Sequence, residues 1–159
     1  MPDMLVRLFD LPDDTVAREA LRAAGVICRR AENYERSAVL QFVKERWPGW
    51  PDEVTAAFAH VPPTLYIATR NDLIVGFAAY NATRPDFFGP TGVDESERGN
   101  GVGGALLKQC LAALAAEGYA YAIIGGVGPA IFYEKTVNAV IIPDTEPGLF
   151  GNHIRVQST

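Results

Sequence analysis

Arg98-Gly99-Asn100-Gly101-Val102-Gly103-Gly104 is the segment of this sequence whose residue types are best suited to bind an anion. Glycine has no Cβ, so a chain rich in it turns sharply and lets a ligand approach its main chain. A helix is predicted directly downstream, from Ala105 to Glu117. Its start offers unpaired N–H groups and the positive end of a dipole, a ready site for phosphate oxygens. Arg98 adds a full positive charge. As a mere helix start, glycines at 99, 101, 103 and 104 are costly, at ~1 kcal/mol each relative to alanine.

Three phosphate-binding patterns compete for this turn. A nucleoside-triphosphate loop ends in Gly-Lys-Ser/Thr, and Gly103-Gly104-Ala105 has neither the lysine nor the hydroxyl. Gly99, Gly101 and Gly104 match the G-x-G-x-x-G spacing of dinucleotide folds. That motif needs an acidic residue ~20 residues later for the ribose, and the next predicted strand ends Ala122-Ile123-Ile124-Gly125 without one. The third pattern is Gln/Arg-x-x-Gly-x-Gly/Ala, and Arg98 to Gly103 satisfies every fixed position.

With that third pattern the chain resembles the GNAT superfamily of acyl-CoA N-acyltransferases. The resemblance runs from about Leu73 to Ile142. It takes in the strand before the turn, the long helix after it, the next strand, and Phe132-Tyr133-Glu134-Lys135 on a following helix. It implies that the strand carrying Val93 and the strand ending at Ile124 splay apart, with the pantetheine arm of acetyl-CoA in the gap. It further implies that the pyrophosphate rests on main-chain N–H groups of Arg98, Gly99, Asn100, Gly101, Val102, Gly103 and Gly104. The main chain at Val93 is then expected to face the acetyl carbonyl, where an N–H stabilises developing negative charge. Tyr133 matches the tyrosine that in many members protonates the departing thiolate. A phenol of pKa ≈ 10 is a suitable donor to a thiolate whose acid has a pKa of ≈ 8.5. Downstream, Thr136-Val137-Asn138-Ala139 departs from the leucine, glycine and aromatic residue common in the family, which leaves the acceptor-side wall open.

The activity implied is transfer of an acetyl group to a primary amine by direct attack, with acetyl-CoA as co-substrate and no metal. The acceptor is a small molecule or a peptide, and the resemblance is compatible with a homodimer. The alternative is a non-catalytic module of the same fold that binds an acyl-CoA as sensor or scaffold. Bland readings stand beside the functional ones: Tyr133 as a core aromatic, Arg98 as a solvated charge. An attacking amine must lose a proton, so a carboxylate or water is wanted nearby. Asp86, Asp94 and Glu95 flank the strand before the turn, where they could equally serve as turn and capping residues. The loop from Trp47 to Glu53, with two tryptophans, Asp52 and Glu53, is suited to cover an acceptor and attract a cation, or to anchor a core. Cys28, Cys110, His60 and His153 have no spacing that suggests a metal, a disulfide framework or a triad.

These residues need a scaffold. Met4 to Phe9 reads as a strand, Thr15 to Ala24 as a helix, Ala31 to Arg46 as a second helix, and Asp52 as the N-cap of a short third helix reaching about His60. Thr64 to Arg70 and Leu73 to Asn81 read as a hairpin across Asn71-Asp72. Phe87 to Val93 follows as a strand that its glycines and proline should bulge. After the long helix, Tyr119 to Ile124 reads as a strand buried on both sides. Pro129 begins a helix, and Val137 to Ile142 and His153 to Val156 read as closing strands. The expected fold is a mixed α/β (α+β) sheet, mostly antiparallel, flanked by helices and, by the resemblance, splayed between its fourth and fifth strands.

The 159 residues are expected to form one domain, 1–159, with 48% hydrophobic and 21% charged side chains. The net charge of −5 argues against nucleic acid as a partner, because such binding leans on Lys and Arg. The longest uncharged stretch, Gly118 to Tyr133, is broken by glycines and proline, and no membrane partner is expected. Two distant cysteines and an acidic N-terminal segment point to a cytoplasmic location.

Overall fold

A computed structural model describes residues 1–158. Strands β1 (Met4–Arg7), β2 (Val26–Arg30), β3 (Leu65–Arg70), β4 (Leu73–Tyr80), β5 (Phe87–Val93), β6 (Tyr121–Ile124) and β7 (Val140–Ile141) form one sheet. Its order is β2-β3-β4-β5-β6-β1-β7. All neighbours run antiparallel except β5 and β6, which are parallel. Helices α1 (Thr15–Ala23), α4 (Val102–Ala116) and α5 (Ala130–Val137) cover one face of the sheet, and α2 (Arg36–Arg46) and α3 (Pro51–Phe58) the other.

Each face has its own core. On α4, Val102, Ala105, Leu106, Cys110, Leu111 and Leu114 recur every three or four residues and are buried against the sheet. Each fully buried leucine stabilises the fold by roughly 1.5–3 kcal/mol. On the opposite face Val39, Phe42, Val43, Val54 and Phe58 pack on Leu65, Ile67 and Phe77. The hairpin between β3 and β4 turns on Asn71 and Asp72, at φ 50° and 62°. Both residues lie in the left-handed region that a two-residue turn of matching twist requires, and Asn and Asp tolerate it without glycine.

Several expectations shift. Val26–Arg30 is a strand pairing antiparallel with β3, so the expected pair, the strand carrying Val93 and the strand ending at Ile124, is fourth and fifth in the sheet order and fifth and sixth along the chain. Arg29 and Arg30 hide this strand in the sequence, but their charges are satisfied within the fold. Arg29 grips Glu35, while Arg30 donates to Tyr66 and Tyr80. Helix α2 accordingly begins at Arg36, not Ala31, and α3 begins with Pro51 at its first position, where a preset φ suits a helix start. Strand β6 is buried on one face only. Ala122 and Ile124 face α4, while Tyr121 is exposed and meets the edge of Phe9. Val137 ends α5, and Asn138 closes that helix in the left-handed conformation. His153 to Val156 is not a strand: Ile154 and Val156 are 99% and 95% exposed and pair with nothing.

Candidate active site

The parallel pair β5 and β6 is in register at two positions, Phe87 with Ile123 and Phe88 with Ile124. Beyond Phe88 the strands share no pair. Strand β6 ends at Ile124 and turns through Gly125 and Gly126, where the Gly126 N–H is fixed by the Asp3 carboxylate at 2.8 Å. Strand β5 continues through Gly89, at φ 116°, to Val93. The expected bulge is present as a register shift between Ala78 and Tyr80 on β4. Asp94 donates its N–H to Val75 at 2.8 Å. By the alternation of an antiparallel ladder, the main-chain groups of Thr91 and Val93 then point to the opposite edge, where β6 has left. Val93 shows this directly, because its carbonyl accepts from Arg98 Nε at 3.2 Å.

That free edge leads into the glycine turn. Gly99 and Gly101 stand at φ 81° and 85°, a region costly for other residues, and no heavy atom lies within 4 Å of where their Cβ atoms would be. Arg98, Gly99, Asn100 and Gly101 are exposed, Val102 is buried, and Gly103 and Gly104 are half-buried beneath Phe132 and Thr136 of α5. The first helical bond of α4 runs from Ala105 to the Gly101 carbonyl. The N–H groups of Val102, Gly103 and Gly104 therefore have no acceptor within the helix.

Charged neighbours hold the turn from below. Glu97 is buried and takes a forked grip from Arg70, at 2.5 and 3.1 Å, which keeps its carboxyl below the usual range. Arg70 also reaches the Ala24 carbonyl at 2.7 Å, tying the turn to the end of α1. Asp94 accepts from the Ser96 hydroxyl and N–H and from Arg46 Nε at 2.8 Å, and these lower its pKa to about 2. A carboxylate held that acidic is a cap and an anchor, and a poor base. Glu95 is exposed beside Arg98. Asp86 sits at the closed end of the strand pair, where Ile123 donates to its carbonyl. Burial raises its carboxyl pKa, and Oδ1 has no partner.

On the other side of the gap lies a cavity of about 710 Å³. Its walls are Phe87 to Thr91 of β5, the segment from Ile124 at the end of β6 to Pro129, Trp50 just before α3, Glu53 of α3, and the C-terminal segment around Phe150 and His153. Tyr133 reaches this cavity from α5 and is 7% exposed. Its ring is held edge-on by Phe132 and Phe88, at 5.0 and 6.4 Å between centroids, and its hydroxyl has no hydrogen-bond partner among the described residues. Burial pushes the phenol above its ordinary pKa, so it stays protonated at neutral pH.

The sequence-derived residues thus fall into two groups. Val93 and Arg98 to Gly104 form a continuous surface of main chain at one end of the gap, and none of them lines the cavity. Tyr133 lines it, whereas Asp86, Asp94 and Glu95 do not. The carboxylate on the cavity wall is Glu53, which the sequence marks only as part of a tryptophan loop. Thr83, Phe150 and His153 reach the wall through long-range folding, which no local pattern signals. His153 stands at the rim and His60 is exposed. Cys110 is buried with its thiol pushed up by desolvation, and Cys28 is raised to about 11, so neither is a nucleophile at neutral pH.

Residues 62–136 match the family described as the acetyltransferase (GNAT) domain. No curated protein matches the sequence. Among solved structures, a GCN5-related glucosamine N-acetyltransferase region of a fungal multi-domain β-N-acetylglucosaminidase is similar at a TM-score of 0.74 and 14% identity. The match covers 89% of this chain and 19% of that one. A GCN5-related N-acetyltransferase from Sphaerobacter thermophilus aligns at 0.66 and 18% identity, covering 89% and 48% of the two chains. One from Kribbella flavida aligns at 0.55 and 18%, covering 88% and 53%. The chain thus spans about half, or less, of the length of these relatives. Among the described residues no helix is long and apolar enough to cross a membrane. The diverging parallel strands and the glycine turn between β5 and α4 thus belong to a chain whose residues 62–136 match the GNAT acetyltransferase domain and whose fold is similar to that of GCN5-related N-acetyltransferases.

Proposed function

We propose that this chain is an N-acetyltransferase that moves an acetyl group from acetyl-CoA to a primary amine. The observation that supports this best is the free edge of β5 from Gly89 to Val93, which leads into a turn where the Arg98 N–H is bonded to the Glu95 carbonyl while the N–H groups of Val102, Gly103 and Gly104 have no acceptor within the helix. Those groups fit acetyl-CoA. Open space above Gly99 and Gly101, the first-turn N–H groups of α4 and the Arg98 charge suit a diphosphate, and the β5 edge suits an amide-bearing arm. When bound, acetyl-CoA supplies an activated acyl group: the amine nitrogen bonds the carbonyl carbon, the C–S bond breaks, and a thiolate leaves.

The chain's own residues do the rest. Main-chain N–H groups on the β5 edge donate to the acyl oxygen as its charge grows, without having to reorient. The Tyr133 phenol donates its proton to the leaving sulfur. Because burial keeps it protonated and no protein group competes for its hydrogen, it is poised for that single transfer. None of Asp86, Asp94 and Glu95 lines the cavity; the carboxylate that does is Glu53, so the amine gives up its proton on the Glu53 side of the cavity, to that carboxylate or to solvent.

Thiol release from acetyl-CoA, followed in the presence of a broad panel of primary amines, tests the proposal. Amine-dependent release is the expected result. Tight acetyl-CoA binding without release for any amine would instead identify a sensor or scaffold, and absence of binding would remove the coenzyme site altogether.

A further inference from the structure

Resting on the acetyltransferase reading, we infer that the acceptor is a hydrophobic monoamine, an ammonium group on an aromatic or aliphatic body without a carboxylate, and that Glu53 takes its cationic end. The cavity wall is built from Trp50, Phe87, Phe88, Pro90, Val127 and Phe150, and no Lys or Arg side chain lines it. Its one carboxylate is Glu53, in the first turn of α3 beside Trp50. The Thr83 hydroxyl donates to Glu53 Oε1 and so orients the carboxylate. The other oxygen, Oε2, has neither hydrogen bond nor ion pair among the described residues. A fixed carboxylate with one free oxygen in an apolar wall is a site for one ammonium.

The same wall disfavours other amines. An amino acid brings a carboxylate, and the one cationic group on the wall, the Met1 ammonium, is already paired with Glu146, so that carboxylate would leave water unpaired at a cost. A polyamine or an aminoglycoside brings a second ammonium, for which there is no second carboxylate. The body that fits is apolar. Gly125 lies under both Phe87 and Phe150, where an added Cβ would be 3.2 and 3.1 Å from their rings, so both phenyl groups crowd this part of the wall. The segment from Pro147 to His153 thereby forms a wall of the acceptor cavity, although the sequence suggests a loop and a strand there.

The test compares 2-phenylethylamine, phenylalanine and spermidine in two measurements on the whole chain. The first is calorimetric binding to the CoA-saturated protein, and the second is kcat/KM with acetyl-CoA. The expected result is binding and turnover of 2-phenylethylamine, with the other two at least ~10-fold poorer. Glu53→Gln, which keeps an acceptor for Thr83, is expected to weaken 2-phenylethylamine binding by roughly 10-fold to 100-fold, in line with loss of one charge-assisted hydrogen bond. Preference for phenylalanine or spermidine would overturn the inference, and so would unchanged 2-phenylethylamine affinity in folded Glu53→Gln. The wild-type comparison holds even if the variant fails to fold. Failure of the acetyltransferase reading looks different, since no amine of any class would then release thiol.

Discussion

Arg98 donates from Nε to the carbonyl oxygen of Val93 across 3.2 Å, so the residue that opens the glycine turn is bonded to the last residue of the free strand edge. One guanidinium therefore spans the two parts of the proposed coenzyme site. It holds the strand end, its Nη1 lies 3.8 Å from the exposed Glu95 carboxylate, and more than half of the side chain stays open to an incoming anion.

Removing that side chain should weaken coenzyme binding more than it weakens the fold. Arg98→Ala is expected to raise the Kd for acetyl-CoA by about 10-fold or more, the effect of one charge-assisted hydrogen bond, and to shift the melting temperature little. Calorimetry at low and high salt checks this. The difference between wild type and variant should shrink as salt rises, because an exposed charge is screened.

Gly92 is required by its neighbour. A Cβ there would lie 2.5 to 2.8 Å from the Trp47 ring, which stacks on Trp50 and packs against Phe77. Gly92→Ala is expected to cost about 1–3 kcal/mol through overpacking. Gly49 has open space and no unusual φ, so Gly49→Ala serves as the control and is expected to be neutral or slightly stabilising. Urea denaturation of both variants distinguishes a ring clash from a general intolerance of alanine.

Asp94 gives the fold an acid-sensitive tether. Its pKa, lowered to about 2 by Ser96 and Arg46, lies below the unfolded value of about 3.9. The stability it contributes is present above about pH 4 and is lost as pH falls toward 2, because the unfolded chain takes up the proton first. Asp94→Asn should be less stable than wild type near about pH 6, and the gap should narrow at about pH 3. A gap that stays constant across that range would show that the Asp94 charge does not matter.

Tyr133 is expected to affect turnover and not coenzyme affinity. Tyr133→Phe keeps the ring between Phe132 and Phe88 and removes only the hydroxyl. With the proton donor gone, kcat should fall by roughly 100-fold or more while the Kd for acetyl-CoA stays within about twofold. Unchanged kcat would take the phenol out of the reaction and leave it as a core aromatic.

The part of the site legible in the sequence is the part built from neighbours in the chain. Strand β5, the turn and α4 are contiguous, and glycines at 99 and 101 announce left-handed positions that the structure contains. The Asn71-Asp72 hairpin was readable for the same reason. Strand β2 was not, because Arg29 and Arg30 find partners just before α2 and on β3 and β4 that only the folded sheet supplies. The three carboxylates nearest the turn looked suited to accept a proton, yet Asp94 is consumed by capping, Asp86 lies at the closed end, and Glu95 faces solvent. Glu53 reaches the cavity only because α3 packs on β3 and β4 and Thr83 orients it. Phe150 acts in the cavity although its surrounding segment has no regular periodicity.

Amide hydrogen exchange with and without saturating acetyl-CoA tests the central claim most directly, because it reads the main-chain N–H groups on which the coenzyme site depends. Slowed exchange is predicted at Thr91 and Val93 and from Gly99 to Gly104, while Gly92 and Asp94, whose N–H groups face β4, should change little. Binding that left Thr91, Val93 and the turn exchanging as in the free protein would contradict the account.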